Sequence, residues 1–450
     1  MTKQEKIELL ENAPPMRAVF RMALPTVLSQ VVSLVYNLAD TFFVGRLHDP
    51  KQLAALSLCF PIFMISVLVA NFFGIGANSL ISRALGRGDY DEVKRLSSFS
   101  VYGSGIAAIM IALAGTVFVR PLLYLLGAQP DTIEYAYQYL KYVFLLGLLP
   151  NVLSLTLSHL LRAEGASRQS GVGLALGGIL NIILDPIFIF LSGRGVVGAA
   201  IATLVSNIVA MAYFLVVMLR SRKSSFLCMR PMKIRPRLAG QVCLAGLPSA
   251  LVILFGTLAN FYMLFVCAAY DDTVIAAYGI LQKFSGISIH LGNGMSQGVS
   301  PLLGYSYAHR NADRTRQVSL IGFLTIIMLA AVIVVLIELF PVSLAGLFAS
   351  DQATIESTTL FLRCSIPGAL FAAAFLFFNA SVVAFGKWKQ GVVLNIMRQA
   401  VFFVPTIYML NRLFGITGLA VSYFVSEVLN FLVCGAIYLT VFRRIMRSLS

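Results

Sequence analysis

Charge is what this 450-residue chain has least of: Asp, Glu, Lys and Arg together make up 12%, about half the share of an ordinary soluble domain. Acidic residues are scarcer still, 19 against 34 basic ones. Tryptophan occurs once. The six cysteines, Cys59, Cys228, Cys243, Cys267, Cys364 and Cys434, include no pair at metal-ligand or redox spacing, so they read as small apolar packing residues. No nucleophile with its base, metal constellation or phosphate loop is spaced for catalysis, and neither an enzyme nor a bound cofactor is expected. Alternating segments of about ten residues, the mark of a membrane β-barrel, are missing too.

What is present is apolar. Hydrophobic residues form 58% of the chain and gather in runs long enough to cross a bilayer, which takes about 20 residues at about 1.5 Å each. The spans read as 18–44, 53–79, 96–119, 135–161, 170–191, 196–219, 241–268, 276–302, 318–340, 357–384, 391–410 and 415–441. An all-α integral membrane protein of about twelve transmembrane helices follows.

A net charge of +15 could point to nucleic acid, but the placement of the charge decides otherwise. If the spans alternate from a cytoplasmic start, the outer segments hold only Arg46, Lys51, Arg120, Arg194 and Arg412. Arg21, Lys141, Lys283, Arg363 and Arg398 fall inside spans, and the remaining Lys and Arg, Arg222 among them, lie in inner segments. This is the positive-inside asymmetry, and it puts both termini in the cytoplasm of a multi-pass protein of the cell (inner) membrane. Anionic headgroups on that side are the expected partner of the basic loops, with no nucleic acid. The first fourteen residues carry Lys3, Glu5, Lys6, Glu8 and Glu11 without a small-residue cleavage site before the first span, unlike a signal peptide. Residues 3–11 suit either a short helix on the inner membrane face or a frayed tail.

The chain also repeats itself. Leu24-Pro25 recurs as Leu247-Pro248, and at the same offset Asn37 falls on Asn260 and Arg87 on Arg310. Ala163-Glu164-Gly165 corresponds to Ala384-Phe385-Gly386, Asp185-Pro186 to Val404-Pro405, Gly195-Val196-Val197-Gly198 to Gly415-Ile416-Thr417-Gly418, and Ser206 to Ser426. Six spans per half make a parallel repeat, whose substrate is expected between the halves near mid-membrane. The divisions are 1–17, a cytoplasmic segment; 18–219, the first six-helix bundle; 220–240, a basic linker with Pro231 and Pro236; 241–442, the second bundle; and 443–450, a cytoplasmic tail.

Polar residues inside spans mark the path. Thr26, Gln30, Ser33, Asn37 and Asp40 recur at intervals of three and four, on one face of the first span. Asn181 and Asp185 share a face of the fifth, where Pro186 removes a helical hydrogen bond and frees a carbonyl. Counted from the outer helix ends, Asp40 and Asp185 sit at similar depths of about 8–10 Å. Carboxylates that meet there either take up a proton or hold a hard cation such as Na⁺, unless the group is only a structural hydrogen-bond cluster. The second half has Met263 and Val404 at the matching positions. Its deep acid, Glu427, shares a face with Tyr423 and Asn430 and is either a second cation contact or the partner of another helix. Glu338 lies near the outer end of its span and is expected to snorkel. Lys283, His290, Asn293 and Gln297 make the eighth span polar, with His290 read as a hydrogen-bonding residue. Candidates to line the substrate path are Gln30, Ser33, Tyr36, Asn37, Asn260, Gln282, His290, Asn293 and Glu427.

The opening pattern Leu24-Pro25 with Asn37-Leu38-Ala39-Asp40-Thr41-Phe42-Phe43-Val44-Gly45, then Gly74-Ile75-Gly76-Ala77-Asn78, Arg83-Ala84-Leu85-Gly86, Arg162-Ala163-Glu164-Gly165 and Asn181 to Pro186, resembles the multidrug and toxin extrusion family over nearly the whole chain. The resemblance implies a V-shaped transporter of two six-helix bundles that exchanges Na⁺ or H⁺ for drugs and other organic cations. In the DNA-damage-inducible branch it places the coupling-ion site at Asp40, Asn181, Asp185 and Thr203, with Na⁺ an option at the first three. The norfloxacin-resistance branch has an acid where this chain has Asn260, which argues against a second-half cation site of that kind. A monomer carrying small-molecule substrates is expected. The rival reading, an exporter or flippase of a lipid-linked sugar or other specific metabolite, would want cationic residues in its cavity, whereas the deep residues here are mainly acids and amides.

Overall fold

The computed structural model describes residues 1–47, 49–126, 129–221, 223–349 and 351–449; Arg222 lies outside them. All its regular elements are helical. The first is α1 (Lys3–Glu11), which Thr2 and Glu5 start with a reciprocal capping box. Helices α2 (Pro15–Gly45), α3 (Pro50–Gly86), α4 (Tyr90–Leu125), α5 (Pro130–Leu140), α6 (Leu148–Ala163), α7 (Ser167–Pro186) and α8 (Gly195–Arg220) follow. The chain continues with α9 (Pro236–Cys267), α10 (Asp272–Ala308), α11 (Ala312–Leu339), α12 (Pro341–Gly346), α13 (Gln352–Ser365), α14 (Gly368–Ala384), α15 (Trp388–Ile396) and α16 (Val404–Leu449). Three π-helical turns interrupt this order, at Lys141–Leu146, Ile187–Leu191 and Met397–Phe403.

Nine helical runs among the described residues are long and apolar enough to cross a membrane, and two more spans are helix pairs, α5 with α6 and α13 with α14, bent by 48° and 47°. One of the nine, Trp388–Leu449, has 62 residues, about three times what a bilayer needs. It breaks at Gly415 (φ 58°, ψ −135°), so it is two spans, and the total is twelve. The expected tail 443–450 continues α16 as helix to Leu449.

The duplication is written in the backbone as well as in the residues. Positive φ recurs in pairs of glycines at matching places: Gly165 (87°) with Gly386 (76°), and Gly195 (52°) with Gly415 (58°). Each pair ends one helix or starts the next, where glycine tolerates the left-handed region without steric cost. Pro186 is followed directly by the π-helical turn Ile187–Leu191, a way of absorbing the missing hydrogen bond that recurs at functional sites.

Contacts divide the chain into two compact units, Met1–Ala13 with Leu28–Ala250, and Pro14–Val27 with Leu251–Ser450. The N-terminal part of α2, to Val27, thus belongs to the second unit and the N-terminal part of α9, to Ala250, to the first, a division that chain order alone did not suggest. In the first unit α9 lies so close on α3 that a Cβ at Gly246 would stand 1.8 Å from the Phe72 carbonyl oxygen. In the second, Gly298 packs on Ala23 in the same manner, its Cβ position 2.4 Å from that Cα.

Within the first unit α1 is a helix rather than a frayed tail, and it packs on the protein. It buries Leu9, Leu10 and Lys6. Lys6 Nζ stands 2.5 Å from Glu164 Oε1 with both side chains nearly inaccessible. Glu164 Oε2 accepts from Ser225 Oγ and the Phe226 amide at 2.9 Å each. The linker is held alongside: Ser98 Oγ donates to the Arg230 carbonyl, Tyr102 Oη to that of Met229, and Arg95 to that of Lys233.

Candidate functional site

The i, i+4 spacing of Asn181 and Asp185 does what it predicts. Asn181 Nδ2 donates to Asp185 Oδ1 at 3.2 Å and to Thr203 Oγ1 on α8 at 3.3 Å. Asp185 is fully buried and Asn181 nearly so. Asp40, in the C-terminal half of α2, lies within electrostatic reach of Asp185. Helix α2 comes this close because it packs on Gly178, whose added Cβ would meet Val32 Cγ1 at 2.7 Å. Three buried oxygens of this group, Asp40 Oδ1, Asn181 Oδ1 and Asp185 Oδ2, have no hydrogen-bond donor among the described residues. Unpartnered buried acceptors are costly, and two ionised carboxylates here would lack compensating charge.

Two phenols complete the wall. Tyr36, one turn before Asp40 on α2, and Tyr139, on α5, both feel the two carboxylates. Tyr139 is a residue that sequence reasoning missed. It ends α5 just before the π-helical turn at Lys141, and nothing in its neighbours signals that it faces a site 46 residues further on.

The remaining candidates do not all join this group. Gln30 and Ser33 are half-buried further in along α2, and Asn37 is exposed with its amide donated to the Ser33 carbonyl at 2.7 Å. In the second unit Asn260 Oδ1 accepts from Tyr278 Oη at 2.8 Å and from the Gln282 amide, and that amide also donates to Tyr278 Oη at 2.7 Å. His290 and Asn293 are half-buried further along α10. Glu427 is paired with another helix: Arg398 Nε and a terminal nitrogen reach its Oε1 at 2.9 and 2.8 Å. Of the two options the residues left open for Glu427, the second describes its surroundings.

Twelve spans in two matching sets, with a buried oxygen-rich group in one, define a multi-pass membrane transporter architecture. The MatE family pattern matches residues 25–187 and again 248–409, once in each half. The chain therefore belongs to the MatE family of transporters. It is similar to the multidrug export protein MepA of Staphylococcus saprophyticus, 31% identical over 428 residues and 94% of each chain. MepA of Staphylococcus aureus strain MRSA252 is 30% identical over 426 residues, again 94% of each. Among solved structures, an outward-facing multidrug resistance MATE family transporter of the MOP superfamily superimposes with a TM-score of 0.93 at 25% identity, over 98% of this chain and 99% of its own.

Proposed function

We propose that this chain is a secondary active multidrug efflux transporter that exports organic cations or other amphipathic compounds in exchange for H⁺ or Na⁺. The observation that carries the ion-coupling half is the trio of donor-less oxygens on Asp40, Asn181 and Asp185, joined by the Thr203 hydroxyl. A proton or a hard monovalent cation supplies the missing positive charge, and carboxylate, amide and hydroxyl oxygens suit either. The efflux half rests on relatives that are multidrug export proteins. The neutral amide at Asn260 fits the branch whose coupling lies in the first half.

The test is uptake of a lipophilic cation dye into proteoliposomes under separately imposed pH and Na⁺ gradients. Transport driven by at least one gradient is expected; transport indifferent to both overturns the antiport reading.

This reading puts both termini and the basic loops in the cytoplasm, against anionic headgroups, in a protein that works as a monomer. In a background without native cysteines, a cysteine at Asp271 or Gln352 is expected to label with an impermeant maleimide from outside. One at Lys223 or Arg316 should label only after permeabilisation. All four positions are exposed, so the reverse pattern would invert the topology.

A further inference from the structure

The two units treat their deep carboxylates differently. At the offset that matches Ser206 with Ser426, Glu427 falls on Asn207, and at the one that matches Asp185-Pro186 with Val404-Pro405, Arg398 falls on Ile179. Ile179 is an exposed apolar residue next to Gly178, where α2 presses on α7 with Val32 and Tyr36 against its backbone. The second unit puts an arginine in that place. Arg398 lies ten residues in from Trp388 and Glu427 twelve in from Gly415, about 15 and 18 Å at 1.5 Å per residue, near the middle of a core about 30 Å thick.

The arginine is held as a bound cation would be. Two of its nitrogens meet Glu427 Oε1 at 2.9 and 2.8 Å, and its guanidinium lies over the Phe375 ring at 4.6 Å. Asn430 Nδ2 donates to the other carboxylate oxygen at 3.4 Å and in turn accepts from Cys434 Sγ on its Oδ1 at 2.9 Å. Both oxygens of Glu427 thus have a donor, in contrast to the donor-less oxygens of Asp40 and Asp185. A buried carboxylate must be neutralised by something. In one unit that something is exchangeable, and in the other it is covalently part of the chain.

We propose that Arg398 is a resident counter-ion that fills the second unit's would-be cation site at Glu427, so that Arg398 fixes the number of exchangeable cations at one per chain. The inference rests on the coupling reading of the first-unit site. Its corollary is that removing the guanidinium opens a second site for a small monovalent cation, proton or Na⁺.

The experiment counts cations bound per folded molecule in detergent, by equilibrium dialysis with radioactive Na⁺ and, separately, by proton uptake after a pH step. The wild type is expected to bind one. Arg398→Met, which keeps an unbranched apolar stem while removing the guanidinium from Phe375 and Glu427, is expected to bind two, the arm that gains the cation saying which ion enters. Arg398→Lys and the double variant Arg398→Met/Glu427→Gln return the count to one. A folded Arg398→Met protein that still binds one overturns the proposal, since a merely structural pair leaves the count unchanged. If Arg398→Met does not fold, Asp40→Asn/Asp185→Asn decides: no bound cation supports the proposal, and a cation that disappears only when Arg398→Met/Glu427→Gln is added overturns it. Failure of the first-site reading looks different, as a count unchanged by Asp40→Asn/Asp185→Asn while Arg398→Met still adds one.

Discussion

Asp40→Asn and Asp185→Asn are each expected to reduce gradient-driven export to the level of empty liposomes while leaving the protein folded and able to bind substrate. The amide keeps the size and the hydrogen-bonding capacity of the acid but cannot change charge. In Asp185→Asn the Asn181 amide can still donate to the remaining side-chain oxygen at that position, so local packing survives. What is lost is the ligand whose binding distinguishes one access state from another, and an ion shifts such an equilibrium only by its differential affinity for the two states. Each variant is therefore expected to rest in the state the bound ion normally favours. Glu338→Gln serves as the control, because that carboxylate lies one residue from the end of α11, with Arg363 in electrostatic reach. It should transport like the wild type. Dye transport per folded molecule, with substrate binding followed in parallel in detergent, separates the outcomes. If both Asn variants transport normally, the carboxylate group is a structural cluster.

The second large effect is expected where α1 packs in the first unit. Removing either member of the buried Lys6–Glu164 pair strands a charge where both side chains are inaccessible, a loss of about 3–5 kcal/mol in comparable cases. Glu164→Leu also leaves Ser225 and the Phe226 amide without their acceptor. Burial already holds the Glu164 carboxyl above its usual range, against the pull of Lys6, Phe226 and Ser225. The sign follows: a raised carboxyl value means the folded state binds the proton more tightly than the unfolded chain does. The contribution of this group to stability is therefore greatest below the unfolded pKa and declines as pH rises through the shift. The double variant Lys6→Met/Glu164→Leu removes both charges and should melt closer to the wild type than Glu164→Leu alone. Thermal melting in detergent, repeated with a chain lacking residues 1–13, checks this. Single variants that melt like the wild type would show that α1 is held by Leu9 and Leu10 alone.

Much of this architecture was legible because membrane physics leaves coarse marks. Spans appear as long apolar runs, and the ends of the structural helices differ from the sequence-read spans by up to eight residues, with Ser167–Leu191 among the nearer matches to its span, 170–191. The repeat was visible because Pro25 and Pro248, or Gly195 and Gly415, serve backbone needs that cannot be met by many residues. The meeting of Asn181 and Asp185 was readable from their four-residue spacing, and the nearness of Asp40 to Asp185 from their similar depth.

Long-range pairings were harder. Lys6 meets Glu164 across 158 positions, and no local pattern encodes that. Tyr139 reaches the site from a different helix. Arg398 and Glu427 stood in plain view as lone charges in adjacent spans, and comparing their depths, as was done for Asp40 and Asp185, would have paired them. The exchange of the N-terminal parts of α2 and α9 between units rests on close backbone packing at Gly246 and Gly298, which composition does not distinguish from ordinary small residues in a membrane helix.

The central claim is that substrate and a small cation are linked through Asp40 and Asp185. The most direct measurement adds a lipophilic cation substrate to purified protein in weakly buffered detergent solution while a pH dye and a Na⁺ electrode record what is released. The account predicts release of close to one H⁺ or one Na⁺ per substrate bound by the wild type and none from Asp40→Asn/Asp185→Asn. Substrate binding that releases neither ion, with an affinity unchanged by pH and by Na⁺ concentration, would contradict it.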